Sequence, residues 1–262
     1  MENRGPLIVV VVVLAGFAAG SYYYSHRAEP EAPAPSAIVE QASPPAEPEI
    51  RYPLQTPEAD AAKPLPPLAE SDAAVQQALT GLIDKSSLQR FFNLDAIVHR
   101  LVVLIDNLAQ KKIPQQHNLM QPVAGKFAVT GRDENLTLNP ENYRRYTPYV
   151  QLAQTIDVKK LVAMYLYFYP LIQEEYKNIG STKQYFNDRL VVVIDDLLAA
   201  PEPTQPIKLV KPKVFYEFAD PALEQLSAGQ KTMIRMGGEN AAKVKATLRE
   251  IRREITTPRS PK

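Results

Sequence analysis

The feature that most constrains the fold of this chain is a nine-residue stretch that occurs twice. The segment Arg189–Leu197 (RLVVVIDDL) repeats Arg100–Leu108 (RLVVLIDNL) with two differences. An extended region follows each copy and leads to a residue that can cap a helix and then to a proline, at 139–140 and at 220–221. This order predicts a duplicated unit of helix, extended segment, capped helix and closing helix, with an approximate two-fold relation between the two halves.

The repeated stretch itself fits two kinds of structure. A run rich in β-branched residues could form a buried strand, but the helical patterns around both copies favour a helix. In a helix, four positions of each copy fall on one side and are expected to be buried in a shared core. They are Leu101, Leu104, Ile105 and Leu108 in the first copy, and Leu190, Val193, Ile194 and Leu197 in the second.

Each copy also carries an aspartate, Asp106 or Asp195, near its C-terminal end. The helix dipole disfavours a negative charge at that position. We therefore expect each carboxylate to have a defined partner in the other half, either an arginine or a backbone donor.

The first 27 residues contain a candidate membrane anchor. The segment Pro6–Gly20 is continuously apolar, and a helix over Leu7–Tyr24 would be about 27 Å long, close to the hydrocarbon thickness of about 30 Å. The run Tyr22–Tyr24 is typical of an interfacial belt. A cleaved signal peptide is the alternative, and the tyrosine belt favours a retained anchor. The spacing of Gly16 and Gly20 would permit a weak homodimer.

Charges around the anchor predict its orientation. Arg4 precedes the span, whereas His26 and Arg27 follow it and lead at once to Glu29 and Glu31. This weak positive-inside bias favours a cytoplasmic N-terminus. The expected location is a bacterial inner membrane crossed once, with the C-terminal domain in the periplasm.

Residues 28–70 are predicted to be a disordered linker. They hold eleven prolines among many alanines and acidic residues, and such a composition buries too little apolar surface to fold. A semi-rigid tether is the expected role, and a docking ligand for a partner domain is the alternative. The chain contains no cysteine, so disulfides and thiol chemistry are excluded.

Residues 71–256 are predicted to form a mainly helical domain with minor β structure, followed by a basic tail at 257–262. Ser71 and Asp72 can cap a first helix, and a second helical region, 87–108, is expected to break near residues 93–95. Two pairs of short extended runs predict one or two hairpins. The four runs are Phe127–Thr130, Leu136–Leu138, Ile207–Val210 and Val214–Phe218.

Later caps and breaks define the remaining helices. Asn139 and Asp157 are predicted to cap helices, and the second of these helices should end at Gly180. Pro170 lies inside that helix and predicts a kink or a break, because proline removes one backbone hydrogen bond. Ser227 should cap a short helix, and Ala241–Ile255 reads as a basic final helix.

Several segments of the domain carry a family resemblance. They are NYRRY at 142–146, YPL at 169–171, YFNDRL at 185–190, FADP at 218–221 and the region 229–237. In these segments the chain resembles a bacterial family of membrane-anchored proteins, the domain of unknown function 3014. The resemblance implies a single anchor, a proline-rich linker and this domain. It implies no activity, so no functional residue can be transferred.

Few residues offer catalytic or metal chemistry. The only histidines, His26, His99 and His117, are too few and too scattered to predict a zinc site. The chain has no nucleophile elbow, phosphate loop or dinucleotide fingerprint, so no cofactor is expected. Glu174, Glu175 and Asp188 could supply the acid and base of glycan hydrolysis. The competing interpretation places both glutamates in solvent and pairs Asp188 with an arginine.

Two groups of residues could form a ligand-binding surface. Tyrosine and arginine alternate in the first group (Tyr143, Arg144, Arg145, Tyr146, Tyr149), as in many recognition surfaces. The second group lies on the basic final helix (Lys243, Arg249, Arg252) and could attract anionic lipid or polymer. Ordinary packing and a solvated helix face are the respective alternatives.

These observations favour a non-enzymatic protein tethered to the inner membrane. Its periplasmic domain would bind another envelope component, either a protein or a cell-wall polymer, and no nucleic acid. The alternative is an envelope enzyme, such as a glycan hydrolase that uses carboxylates.

Overall fold

The computed structural model describes residues 49–54, 64–132, 134–181 and 184–257. These residues form a mainly helical domain with one small antiparallel sheet, which confirms the predicted fold class. The helices are α1 (Asp72–Thr80), α2 (Lys85–Phe91), α3 (Ile97–Leu108), α4 (Glu141–Thr155), α5 (Val158–Asn178), α6 (Phe186–Leu198), α7 (Pro221–Glu224), α8 (Ala228–Arg235) and α9 (Gly238–Thr256). The strands are β1 (Val129–Thr130), β2 (Leu136–Leu138), β3 (Lys208–Val210) and β4 (Glu217–Phe218).

The predicted anchor, with Gly16 and Gly20, lies outside the described residues, as do residues 28–48 of the linker and residues 258–262 of the basic tail. None of the helices in the described part of the chain combines the length and the apolarity that a bilayer crossing requires.

Both copies of the repeated stretch are helical, as predicted, and lie in α3 and α6. The two helices contact each other, and α5 contacts both. Val102 and Val191 hold equivalent positions and are almost fully buried, with 0% and 1% of their surface exposed. In α6 the predicted positions Val193 and Ile194 are also buried.

The predicted buried face is only partly confirmed, since Leu190 and Leu197 of α6 are only partly buried and α3 departs further from the prediction. Its four predicted residues are only partly buried, whereas Val103 is 8% exposed; the equivalent Val192 of α6 is 49% exposed. The cause lies in the neighbours of each helix. α1 and α5 cover α3, whereas α9 covers α6 together with α5 and α8.

The aspartates at the ends of the two copies both pair with arginines, but only Asp106 has its partner in the other half, as predicted, whereas the partner of Asp195 lies in the same half. Asp106 accepts a hydrogen bond from Arg189 of the other copy at 3.1 Å, and the same guanidinium donates to the Asp106 carbonyl oxygen. Asp195 accepts two hydrogen bonds from Arg252 of α9, at 2.6 and 3.0 Å. Its carboxylate raises the pKa of that arginine through the hydrogen bond.

The two predicted hairpins join into one sheet with the strand order β1-β2-β3-β4. The central pair, β2 with β3, is antiparallel and matches Leu136 with Leu209. The predicted two-fold relation is wrong for this sheet. A two-fold axis at its centre exchanges β1 with β4 and β2 with β3, whereas the duplication would require β1 to exchange with β3.

Helix ends show which capping predictions hold. The Asp157 carboxylate accepts from the Lys160 amide at 3.1 Å, and the Asn139 side chain accepts from the Glu141 amide at 2.8 Å. Gly180 ends the segment after α5 with a φ of +106°. These three predictions are confirmed.

Two other helix-end predictions fail. The Ser71 hydroxyl does not cap α1 but donates to the Leu68 carbonyl. The Asp72 carboxylate instead accepts from the Ala96 and Ile97 amides and so caps α3.

The helix α5 runs through Pro170 without a break. Proline in a helix interior costs about 3 kcal/mol. The buried residues on both sides of it (Phe168, Tyr169, Leu171 and Ile172) outweigh that cost.

Residues 51–54, which precede the predicted boundary at Ser71, contact the helical domain. The amides of Arg51 and Tyr52 donate to the Asp188 carboxylate at 2.9 and 2.8 Å, and the Leu54 amide donates to the Tyr185 hydroxyl at 2.9 Å. The Tyr52 and Leu54 side chains pack against the core. These apolar side chains dock a segment whose proline content had predicted disorder.

The N-terminus of α8 connects the ends of the two copies. A Cβ atom on Gly229 would come within 2.5 Å of the Leu197 side chain and 3.1 Å of the Leu108 carbonyl oxygen. Leu108 and Leu197 are equivalent positions of the repeat. The close approach of α8 to both copies therefore favours glycine.

Candidate functional site

The tyrosines predicted to form a recognition surface lie along α4 and are used in packing. Tyr149 donates its hydroxyl proton to the carbonyl oxygens of Gln121 and Pro122, at 3.1 and 3.2 Å. Its ring meets Phe91 edge-on, with 4.8 Å between the ring centroids. Burial raises the pKa of the Tyr149 hydroxyl. This side chain therefore fastens the 121–122 loop to the domain.

The first part of α4 behaves in the same way. Tyr143 packs against the backbone of Gly237, where an added Cβ would lie 2.6 Å from the ring. Tyr146 packs in an apolar cluster, and burial raises the pKa of its hydroxyl. Arg144 is exposed and lies 3.2 Å from Glu141 of its own helix. Only Arg144 of these three side chains faces solvent.

Arg145 is occupied by the backbone of a neighbouring loop. Its guanidinium donates to the carbonyl oxygens of Val123, Ala124 and Gly125, at 3.3, 2.9 and 2.9 Å. It also donates to the Asn142 side chain at 3.1 Å. The guanidinium therefore holds the loop in place and is committed within the domain.

The basic residues predicted as a surface on α9 differ in their availability. Lys243 forms an ion pair of 2.7 Å with Glu239, one turn earlier. Arg252 is committed to Asp195, and Arg249 is exposed. Arg249 is thus the most accessible of the three cations. Among the described residues, the groove found in the domain is lined neither by these cations nor by the tyrosines of α4.

Lys245 of the same helix is buried and structural. Its ammonium group donates to the Ala200 carbonyl at 2.7 Å and to the Glu202 carboxylate at 2.6 Å. The hydrogen bond from Lys245 lowers the pKa of Glu202. The pair ties the segment after α6 to α9.

The three candidate carboxylates have separate surroundings. Glu174 is exposed on α5. The adjacent Glu175 lies 2.6 Å from His99 Nδ1. Asp188 accepts from the backbone amides of Arg51 and Tyr52, where an arginine side chain was the expected partner.

A histidine cluster is the polar feature that sequence analysis missed. Beyond the contact with Glu175, His99 Nε2 lies 3.2 Å from His117 Nδ1. The cluster joins α3 and α5 to the turn Gln115–His117, and Arg100 donates to the carbonyl oxygen of Gln116 at 3.1 Å. These contacts fasten the turn to the core. His99, His117 and Glu175 are far apart in the sequence, so no local sequence pattern predicts that they contact one another.

No group of three or more histidine, cysteine, aspartate or glutamate side chains among the described residues has the arrangement needed to hold a metal ion. The histidine cluster offers one carboxylate that already contacts a ring nitrogen. Metal binding would have to displace that contact.

A groove on another face of the domain is open. It has a volume of about 570 Å³ and lies between α1, the start of α5 and the segment that precedes the turn Leu68–Glu70. Most of its lining is apolar. The lining residues are Pro64, Pro66, Ala74, Gln77, Ala78, Gly81, Leu82, Lys160, Met164, Tyr167 and Phe168.

Helical spacing explains the shape of the groove. Residues 74, 77, 78 and 81 share one face of α1 and its continuation, and residues 160, 164, 167 and 168 share one face of α5. Both faces line the groove. Lys160 is the one charged side chain of this lining, and it places a positive charge at the rim. Sequence analysis missed the groove because each face alone reads as an ordinary amphipathic helix.

Comparison with known proteins places the chain in a family. A family model described as "Protein of unknown function (DUF3014)" matches residues 97–252, from the first residue of α3 almost to the end of α9. No curated protein and no solved structure matches the chain. Because the family match covers more than half of the chain and includes both copies of the repeat, the chain belongs to this family of proteins of unknown function.

Proposed function

We propose that this chain is a non-enzymatic envelope protein whose helical domain binds a partner protein through the groove. The observation that carries the proposal is the groove itself. It has a volume of about 570 Å³, a mostly apolar lining and one positively charged lining residue, Lys160. Ligand sites are concave and mostly apolar, with few polar groups that fix orientation.

The chemistry of the lining favours a polypeptide over a cell-wall polymer. Glycans need many hydrogen-bonding partners, whereas this groove presents prolines, alanines, a leucine, a methionine and aromatic rings. A groove lined by two helix faces suits an amphipathic segment of another protein. Lys160 at the rim would meet a carboxylate of that segment. The occupant is therefore an apolar segment that bears an acidic residue.

The candidate carboxylates Glu175 and Asp188 already have partners within the domain, which supports a binding function over glycan hydrolysis. A hydrolase needs two carboxyl groups that face one another across a cleft. Glu175 and Asp188 are held by a histidine and by backbone amides respectively. Neither residue lines the groove.

The proposal includes the tether predicted from the sequence. An N-terminal anchor over Leu7–Tyr24 and the proline-rich segment that follows would hold the domain near the inner membrane, on its periplasmic side. Protease digestion of right-side-out spheroplasts tests this location. Degradation of the domain while the inner membrane is intact is expected, and full protection would place the domain in the cytoplasm.

Charge reversal at the rim tests the groove. A photo-crosslinker at Gln77, which lines the groove and is exposed, should capture a partner in living cells. Lys160→Glu should weaken that capture by up to about 30-fold, since an ion pair worth up to about 1 kcal/mol is replaced by repulsion of similar size. Crosslinking yield at matched protein levels measures the effect.

Lys159→Glu is the matched control because Lys159 is exposed on the same turn but does not line the groove. It should leave the yield unchanged. Equal yields from both variants would contradict the proposal. The enzymatic alternative gains support if a folded, abundant Glu174→Gln protein behaves like a deletion in cells.

A further inference from the structure

The hairpin between β3 and β4 exposes two apolar side chains at its end. We call residues Lys211–Tyr216 the hairpin tip. Val214 and Phe215 are 75% and 78% exposed, and Val210 at the end of β3 is 43% exposed. Exposed apolar side chains that stand together mark contact surfaces far more often than isolated ones do.

The hairpin tip stands on a well-packed base. Leu209 and Phe218 are buried in one apolar cluster, and Leu209 is paired with Phe218 across the two strands. Tyr216 stacks on Phe127, with 5.7 Å between the ring centroids. The exposed residues are therefore presented outward by a fixed support, which reduces the entropy lost when they bind.

Positive charge surrounds the apolar end. Lys208, Lys211 and Lys213 lie within six residues of one another, and Glu217 is the one acidic residue between Lys208 and Phe218. Lys211 extends over the Tyr216 ring at 5.3 Å from its centroid. Exposed apolar side chains beside several lysines are complementary to an anionic bilayer. The apolar side chains can enter the membrane interface while the lysine ammonium groups remain with the headgroups.

We propose that the hairpin tip inserts Val214 and Phe215 into the interface of a membrane that contains anionic phospholipid. The small apolar area fits this occupant better than a protein, since stable protein interfaces bury about 800 Å² on each partner. The lysines supply the electrostatic part of the attraction. This contact lies on a different part of the domain from the groove and stands independently of it.

The test uses the full-length chain and a unique fluorophore. The chain contains no tryptophan, so Phe215→Trp provides the only indole. The protein is reconstituted with vesicles of phosphatidylcholine that contain about one quarter phosphatidylglycerol, some of it brominated in the acyl chains. We expect a blue-shifted emission and quenching by the bromines.

Val192→Trp is the matched control because Val192 is also an exposed apolar residue, 49% accessible, on α6. Its emission should remain that of a solvent-exposed indole and should be unquenched. Two changes should weaken insertion at position 215. One is the use of vesicles of phosphatidylcholine alone, and the other is the addition of Lys211→Gln and Lys213→Gln. The equilibrium constant for insertion should fall about 30-fold, since each lysine contributes about 1 kcal/mol of attraction near an anionic surface.

Two results would overturn the proposal. One is equal quenching, or none, at positions 215 and 192. The other is a blue shift at position 215 that grows with protein concentration in detergent without vesicles, which would assign the hairpin tip to contact between copies of the chain.

Discussion

Copy one and copy two of the repeated stretch share seven of nine residues, yet their buried faces differ in part. Both bury a valine almost completely, Val102 in one apolar cluster and Val191 in another. They differ at the next position, where Val103 is 8% exposed and Val192 is 49% exposed. The sequence of a helix thus specifies that it is helical and apolar, while the neighbouring helices decide which side becomes core.

The difference has a simple physical origin. Each copy contains five consecutive apolar residues, so no polar residue marks an outer face within that run. The helix can then rotate to fit its neighbours at little cost in transfer free energy, because either side is apolar. The comparison can be tested by matched substitutions at equivalent positions.

The largest difference is expected for truncation of the equivalent isoleucines. Ile194→Ala should lower the free energy of unfolding by about 2–5 kcal/mol, the usual cost of removing a buried isoleucine side chain. Ile105→Ala should cost roughly half as much or less, because Ile105 is only partly buried. Urea unfolding followed by circular dichroism measures both. Equal losses would mean that the two copies are buried alike.

A smaller difference is expected at the position where the copies diverge. Val103→Ser should destabilise the domain by about 1–3 kcal/mol, because it removes a buried apolar group and introduces a hydroxyl. Val192→Ser should change stability by no more than about 0.5 kcal/mol, as is usual at the surface. Thermal unfolding midpoints give the comparison. The reverse order would refute the assigned faces.

The smallest difference is expected at the two aspartates. Asp106→Asn should cost about 1–2 kcal/mol, because Arg189 is largely buried and donates to both the carboxylate and the carbonyl of Asp106. Asp195→Asn should cost less than about 1 kcal/mol, since its pair with Arg252 is more exposed. Double-mutant cycles with Arg189→Gln and Arg252→Gln isolate each pair. A larger coupling energy for Asp195 would be inconsistent with this ranking.

Local chemistry made much of the fold predictable. Asp157, Asn139 and Ser227 act within a few residues of themselves, so their capping roles can be predicted from sequence. Asp72 could not be assigned in the same way. It caps α3, whose amides lie 24 and 25 residues away along the chain, and only tertiary structure brings them together.

The candidate site was harder to predict than the fold. Tyrosines beside arginines favour recognition on average, but here Arg145 and Tyr149 donate hydrogen bonds to carbonyl oxygens of a loop in the same domain. The position of Lys160 in a groove could not be predicted from the sequence, because the groove also requires the apolar residues of α1. Residue type alone does not distinguish a cation that holds a loop from one that faces a groove.

The pairing of β2 with β3 has a consequence for how the domain folds. Each half contributes one short hairpin, and an isolated two-stranded hairpin is marginally stable at best. The contact between Arg189 and Asp106 likewise spans 83 residues of sequence. Unlike the units of a solenoid, which fold against their nearest neighbours alone, these halves complete one sheet together and share an apolar cluster that contains Val102 and Phe186. During folding, the entropy of closing a long loop must therefore be lost before the contacts between the two halves can stabilise either of them. Both halves should unfold in one cooperative transition.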